Sequence, residues 1–493
     1  MNTGPDQDPS STARLLRAVR NPVWAALWLT GHLLARAGAV DAHRAERTTD
    51  LAWPRIVTGI ARMSKSVADL AMIGIVLGST AVAGIGIATP FAYLAGTLGG
   101  GIAGGTIALV SQRFGADRYD ELDLVVKQSV WMTLLACAPL AVIFYAFPTE
   151  LVGLITDDPE MRQYGAMYLQ IMAFGTVFIG LNLIGSRTLV GADDAYSPMI
   201  VRAGGALVNI GLNAVLIFGL GMGVAGAALG TVVAAAFVTA LFAWGFFGGW
   251  IPFVGRFPVT IRASGPYLDL GFVRDLVEIS TPIVFTNMVW STAQFPLLFV
   301  VAFFGPEVVA AFVVAYRVRG LMDTPSWGLR LASSSLVGQS LGTGDELEAG
   351  SYGRDILRMT LVVYLAVAAS VFVFAEPVAT VFVDEPGEVP IATAFIRVAC
   401  LSVIFNGLYG AAAGPLTASG DTRWPFYART LGLYGVALPV AALGIVTPLG
   451  IVALYLSMIF ETVVAAGITY YRFASGRWKA VSRDYRPGAS PGD

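Results

Sequence analysis

The chain is poor in charge, in cysteine and in histidine. Asp, Glu, Lys and Arg make up 13% of its 493 residues, too few to cover a water-soluble fold of this size. There are two cysteines, Cys137 and Cys400, each inside an apolar run. They read as packing residues, which excludes a disulfide framework and a cysteine metal site. Both histidines, His32 and His43, precede the first long apolar run, so a histidine proton relay in the core is excluded. No Ser-His-Asp, Cys-His or paired catalytic carboxylate set can be assembled in the core, and neither an enzyme nor a cofactor is expected. The net charge of −2 comes with no basic block interleaved with aromatics, which argues against nucleic acid as a partner. The run GTLGGGIAGG at 96–105 lacks the Lys-Ser/Thr of a phosphate loop and reads as close helix packing.

What the chain has is apolar length: 56% hydrophobic residues and a mean hydropathy of +0.70. About twenty apolar residues cross a bilayer. Spans are placed near 53–77, 83–109, 124–148, 164–189, 197–219 and 222–248, then 278–304, 308–336, 356–381, 389–414, 425–446 and 449–471. The expected fold is an all-α polytopic membrane protein with twelve transmembrane helices in two six-helix lobes. Residues 1–50 are expected to be a tail, polar and disordered over 1–11, plus an amphipathic helix within 14–40. That helix mixes Trp24, Leu27 and Trp28 with Arg14, Arg17, Arg20 and Arg36 and reads as interfacial, an extra span being the competing reading. Residues 51–250 form the first lobe, 251–275 a cytoplasmic linker, 276–472 the second lobe and 473–493 a cytoplasmic tail. Arginines such as Arg113, Arg118, Arg256 and Arg354 fall on the side of the termini. Glu150, Asp157, Asp158, Glu160, Glu307, Asp384 and Glu385 fall on the other, with Arg162 the one base there. That is the positive-inside pattern for a plasma-membrane protein with both termini cytoplasmic.

An internal repeat organises the chain. Gln112 and Gly115 match Gln339 and Gly342, Asp157 and Pro159 match Asp384 and Pro386, and Gly180, Asp194, Pro198 and Arg202 match Gly407, Asp421, Pro425 and Arg429, each pair 227 apart. An even number of spans per half gives both halves one orientation, related by a pseudo-two-fold axis along the membrane normal with a cavity between them.

Ionisable residues inside spans point to function. Asp69 lies fifteen residues, about 22 Å of helix, after Pro54 in the first span, with Arg62 and Lys65 one or two turns before it. The bland alternative is a Lys65–Asp69 pair that only holds the helix. Asn209 and Asn213 share one face of the fifth span, where amide oxygens can accept from a protonated carboxyl or ligate a cation. An interhelical amide bond would explain them equally. Asp323, with Arg317, Arg319 and Arg330, reads as a structural charge cluster near the inside end of the eighth span.

The segments WPRIVTG…VADLAMIG, ALVSQRFGA, VGADDAYSPM and above all LVNIGLNAVLIFGLGMGVAGAALGT resemble the multidrug and toxic compound extrusion (MATE) family, over roughly Leu51 to Arg472. The resemblance implies two lobes, a V-shaped central cavity, and export driven by an inward proton or sodium gradient. In the DinF-like branch an Asp spaced like Asp69 from a first-helix Pro takes part in ion coupling. That branch often has Asp where this chain has Asn213, a departure that leaves Asp69 nearly alone. Thr231 matches a family hydroxyl, Ser186 falls where the family commonly has Asn, and Asn182 lies one turn earlier. Pro296 stands 227 residues after Asp69, and Trp290 replaces the seventh-helix Glu of another branch. Coupling is therefore expected in the first lobe, at Asp69, Asn209, Asn213, Thr231 and Ser186, tuned by Lys65, Arg62 and Asn182. Asp69, Asn209 and Asn213 would be the metal ligands if the ion is Na+.

The expected function is a secondary active antiporter that exports amphiphilic cationic organic compounds in exchange for H+ or Na+, acting as a monomer in the bilayer. A lipid-linked oligosaccharide flippase is the alternative, kept open by Arg62, Lys65 and Arg187. A non-transporting sensor is the third reading.

Overall fold

The computed structural model describes residues 21–382 and 387–486. The expectations for 1–11, for Arg14, Arg17 and Arg20, and for Asp384, Glu385 and Pro386 lie outside these residues, as does 487–493 of the tail. In chain order the helices are α1 (Pro22–Arg36), α2 (Ala42–Gly115), α3 (Tyr119–Ala146), α4 (Pro148–Gly153), α5 (Pro159–Gly191), α6 (Tyr196–Ala214) and α7 (Gly223–Gly248). A short hairpin follows, β1 (Trp250–Ile251) against β2 (Gly255–Arg256). Then come α8 (Leu270–Ala302), α9 (Pro306–Met322), α10 (Thr324–Gly342), α11 (Glu346–Val373), α12 (Ala375–Phe382), α13 (Val389–Ala418), α14 (Arg423–Thr430), α15 (Leu438–Val446), α16 (Ile451–Ala474) and α17 (Trp478–Asp484). Among them, ten segments are long and apolar enough to cross a bilayer. One of these, α2, holds two spans parted at Gly78, whose φ of +77° is a left-handed value that glycine adopts freely. Together α9 and α10 make a further span, broken at Asp323 and too short or too polar in either half alone. The spans therefore number twelve, six on each side of the hairpin.

Several helices outrun their apolar windows. α2 starts at Ala42, where the Asp41 side chain accepts from the Arg44 N–H at 3.0 Å. α8 starts at Leu270, where Asp269 accepts from the N–H groups of Gly271 and Phe272. Hydropathy marks only the part in hydrocarbon, while caps set the true ends. The segment 251–275 is no loose linker. Ile251, Phe257, Val259 and Ile261 are buried under the first lobe, and the Arg262 N–H donates to Asp123 at 2.8 Å. α1, with 15 residues, is about 22 Å long and too short to span. It packs Trp24 and Leu27 into the protein and donates from Trp24 Nε1 to Asp50 at 2.9 Å, leaving Leu29 and Leu33 exposed on its other side.

Ion pairs and hydrogen bonds gather the even-numbered turns at one end, the terminal face. Arg44 meets Glu348 at 3.1 Å and Asp355 at 2.7 Å. Arg483 meets Glu346 at 2.8 Å, and Arg113 donates to the Tyr485 carbonyl at 3.4 Å. The lobes meet through the first and second spans of one and the seventh and eighth of the other. At the terminal face the duplicated residues touch each other. A Cβ on Gly115 would lie 2.1 Å from the Gln339 carbonyl oxygen, and one on Gly342 would lie 1.9 Å from the Gln112 carbonyl oxygen. Repeat-related positions in mutual contact place the pseudo-two-fold axis between them. Around the crossing, Gln112 Nε2 donates to the Ala418 carbonyl at 2.6 Å, and Ser335 to the Val190 carbonyl at 2.6 Å.

Only glycine lets two helix backbones approach this closely. Gly342→Ala or Gly115→Ala should therefore destabilise the protein by about 1–3 kcal/mol, the usual cost of overpacking. Gly467→Ala, at a helical glycine with open space around it, should be neutral. Thermal unfolding of the purified protein in detergent checks this; equal midpoints for all three variants would place the axis elsewhere.

Candidate functional site

The first lobe assembles a polar chain across three helices. Lys65 Nζ donates to Asp69 Oδ2 at 2.7 Å, a spacing of four residues that one helical turn brings together. Asn213 Nδ2 donates to the other oxygen, Asp69 Oδ1, at 2.8 Å. The same amide approaches Asn209 Oδ1 at 3.4 Å, and Asn209 Nδ2 donates to Thr231 Oγ1 at 3.2 Å. Both asparagines are fully buried, whereas Asp69 and Lys65 keep side-chain exposures of 19% and 23%. The site is therefore open on its Asp69 side and closed behind. Gly230 makes room for it, because a Cβ there would stand 2.0 Å from Asn213 Oδ1. That oxygen is buried with no hydrogen-bond partner. One residue beyond the end of α6 the backbone widens into a π-helical stretch, Val215–Gly219, a distortion often found beside functional groups.

Asp69, Lys65, Asn209, Asn213 and Thr231 are thus brought together, and three other expected residues are not. Asn182 accepts from Thr239 Oγ1 at 2.8 Å and donates to the Ala235 carbonyl at 3.1 Å. Thr239 lies eight residues from Thr231 along α7, about 12 Å, so Asn182 belongs to a separate interhelical contact. Ser186, one turn further along α5, is buried nearer still to the terminal face. Arg62 turns away from Asp69 and stacks its guanidinium over Trp327 of α10 at 4.7 Å.

Arg62 instead joins a larger group, of which the sequence had picked out only Arg62 and Arg187. Arg55, buried, also stacks on Trp327, at 5.5 Å. Arg187 and Arg202 lie close enough to repel each other and the first two, and Arg330 lies close enough to repel Arg187. The seven-residue spacing of Arg55 and Arg62 was the available signal, since it puts both on one helical face.

The second lobe holds Asp323, which the sequence singled out, and Glu461, which it did not. Asp323 is not near the inside end. It sits in the break between α9 and α10, 19 residues from the end of α10 at Gly342, about 28 Å away. Its carboxylate accepts from Asn406 Nδ2 at 2.6 Å and from Trp327 Nε1 at 3.1 Å. Among the described residues neither Arg317 nor Arg330 makes an ion pair with it. Asn406 accepts in turn from Arg429 at 3.3 Å. Glu461 of α16, almost fully buried, takes a forked bond from Arg319 at 3.1 and 3.2 Å and a third from Tyr316 at 3.0 Å. Its position, one acid in the otherwise apolar run of the twelfth span, was the signal for it.

Sequence and structure comparisons agree with this layout. The MatE family model matches twice, over residues 54–215 and 282–443, a second register 228 residues after the first. A probable multidrug resistance protein NorM of Thermotoga maritima is 23% identical over 87% of this chain and 92% of its own length. A protein of the same description from Rhodopseudomonas palustris is 25% identical over 86% of this chain and 90% of its own. Among solved structures, an outward-facing conformation of a multidrug resistance MATE family transporter has a TM-score of 0.80 at 21% identity, covering 89% of this chain and 96% of that one. A MOP superfamily transporter from Pyrococcus furiosus also reaches 0.80, at 20% identity, covering 88% and 96%. The paired match spans most of both lobes, and this chain, a multi-pass membrane protein, belongs to the MATE family of transporters, not to a class of enzymes.

Proposed function

We propose that the protein is a secondary active antiporter that expels organic amphiphiles across the plasma membrane, with the terminal face in the cytoplasm and Asp69 as its coupling group. The observation that carries this reading is the Lys65–Asp69–Asn213–Asn209–Thr231 chain, with one orphan amide oxygen at its centre. A buried polar atom without a partner is costly, and a protonated Asp69 carboxyl or a cation would satisfy it. Lys65 already places an ammonium on Asp69 Oδ2, where a metal cation would otherwise bind. That favours a proton as the coupling ion over Na+. The Pro54 and Asp69 spacing supports the DinF-like branch.

On this reading the network around Glu461 holds the second lobe together and takes no part in exchange. Its charges are compensated by Arg319, Tyr316 and Arg429, the last at 3.9 Å.

The reading is tested in proteoliposomes with an imposed gradient. Asp69→Asn should abolish substrate flux driven by a pH gradient while the protein still inserts and unfolds at the wild-type midpoint. Gly230→Ala should weaken the same flux by displacing Asn213. Undiminished flux in Asp69→Asn removes the assignment, and flux that follows a Na+ gradient alone overturns the choice of ion. Glu461→Gln should behave differently, destabilising by about 3–5 kcal/mol because it strands a buried Arg319. An intact, stable Glu461→Gln protein that has lost only coupling would move the coupling site to the second lobe.

A further inference from the structure

We infer that the space between the lobes is an organic-anion site, built from Arg55, Arg62, Arg187, Arg202 and Arg330 around the ring of Trp327. This rests on the transport reading above and narrows its cargo, against the cationic cargo that family resemblance implies. Four of the arginines come from the first, fourth and fifth spans and one from the eighth, so a single anion would touch both lobes. Arginine remains protonated whatever its surroundings, so these are five positive charges. Among the described residues no carboxylate lies within ion-pair distance of any of them.

Charges buried without partners are costly, and these have free donors. Arg55 leaves Nε and Nη1 unbonded, while Arg187 and Arg202 each leave Nη1 unbonded, all four atoms out of contact with solvent. The repeat supplies an internal comparison. Arg429, related to Arg202 by the 227-residue register, bonds Asn406 and lies beside Glu461. Nη1 of Arg429, like that of Arg202, makes no hydrogen bond, but the second lobe sets a carboxylate 3.9 Å from it, and among the described residues the first lobe sets none beside Arg202. Exposure is graded across the group: Arg62 is exposed, Arg187, Arg202 and Arg330 are half-buried, and Arg55 is buried. That gradient describes an entrance and a floor. Guanidinium forks suit phosphate and carboxylate oxygens. Trp327, 42% exposed, offers a flat apolar surface to the rest of such a molecule. A cationic amphiphile would meet five like charges there.

The test uses the full-length protein in an uncharged maltoside detergent, with dodecyl phosphate, dodecyltrimethylammonium and inorganic phosphate as probes in calorimetric titrations and thermal shifts. Dodecyl phosphate should bind saturably and raise the unfolding midpoint, and dodecyltrimethylammonium should not. Equal binding of inorganic phosphate would keep the anion site and overturn its apolar half. Loss of dodecyl phosphate binding in phosphatidylglycerol nanodiscs, but not in phosphatidylcholine ones, would identify a lipid headgroup as the competing source of the same chemistry and support the site. Arg187→Gln with Arg202→Gln should weaken dodecyl phosphate binding by about tenfold or more. The ligand-free midpoint of this double variant should rise, because mutual repulsion is relieved. Arg397→Gln, at an arginine that stacks on Phe372, should leave binding unchanged. Equal stabilisation by dodecyltrimethylammonium, or unchanged affinity in the folded double variant, overturns the inference. Asp69→Asn should keep dodecyl phosphate binding. Asp69-dependent export of a cationic dye by a protein that binds no dodecyl phosphate would remove the anion assignment and leave the coupling reading standing.

Discussion

Charge inside a membrane must be compensated, and this fold meets that constraint in three different ways. Glu461 and Arg319 neutralise each other in a forked bond, with Tyr316 taking up a further lone pair. Asp69 is matched less completely: Lys65 holds one oxygen, Asn213 the other, and the amide oxygen beside them has no donor. Among the described residues, no carboxylate lies within ion-pair distance of the five arginines between the lobes. Compensation inside hydrocarbon is a stability requirement, so each step away from it marks a place where something other than the protein completes the site. On the proposed reading, the order of completeness runs from scaffold through ion site to cargo site.

Duplication explains why the three can coexist. Two copies of one six-span unit cross at backbone-to-backbone contacts between Gly115 and Gln339 and between Gly342 and Gln112, and that crossing tolerates little change. Away from it the halves diverged. Asp69 faces Pro296 in the register of the repeat, and Asn209 and Asn213 face Val436 and Val440. The second half acquired its own acids at Asp323 and Glu461, at positions held by Gly96 and Ala234 in the first. A symmetric frame therefore carries an asymmetric charge distribution.

The fold was largely legible because its signals are one-dimensional. Apolar length, loop charge and a constant 227-residue offset are all read along the chain, and twelve spans in two lobes follow from them. The eighth span was legible as a length; its break at Asp323 is marked by Pro325 in the first turn of α10, a helix-start signal that hydropathy alone does not register. The Asp69 chain was legible for a local reason, the four-residue spacings of Lys65 with Asp69 and of Asn209 with Asn213, each confined to one helix. The arginine group was legible only in part, through Arg62 and Arg187, because its members sit on four spans and no spacing along the chain joins one span to the next. Ser186 and Asn182 were misplaced for the converse reason. Their helix was right, but their level along it, set by contact with Thr239 and Ala235, is a tertiary property.

The two sites share one helix, and that fixes how they can communicate. Arg55, Arg62, Lys65 and Asp69 follow one another along the first half of α2 at spacings of seven, three and four residues, which keeps them near one face. Neutralising Asp69 leaves the Lys65 ammonium uncompensated, three residues or about 4.5 Å of helix from Arg62. Through charge alone this strengthens the field that holds an anion, so ion loading would retain such a cargo where an exporter must release it. Exchange therefore has to be transmitted through the shape of α2, not through its charge. The means are present: Pro54 removes a ladder bond below Arg55, and Gly78 interrupts the helix above Asp69. Between those two points the segment that bears both sites can turn as a unit when the Asp69–Asn213 bond is remade. On the proposed reading, such a turn would withdraw Arg55 and Arg62 from Trp327 of the opposite lobe, and so would take apart the anion site as the ion site filled.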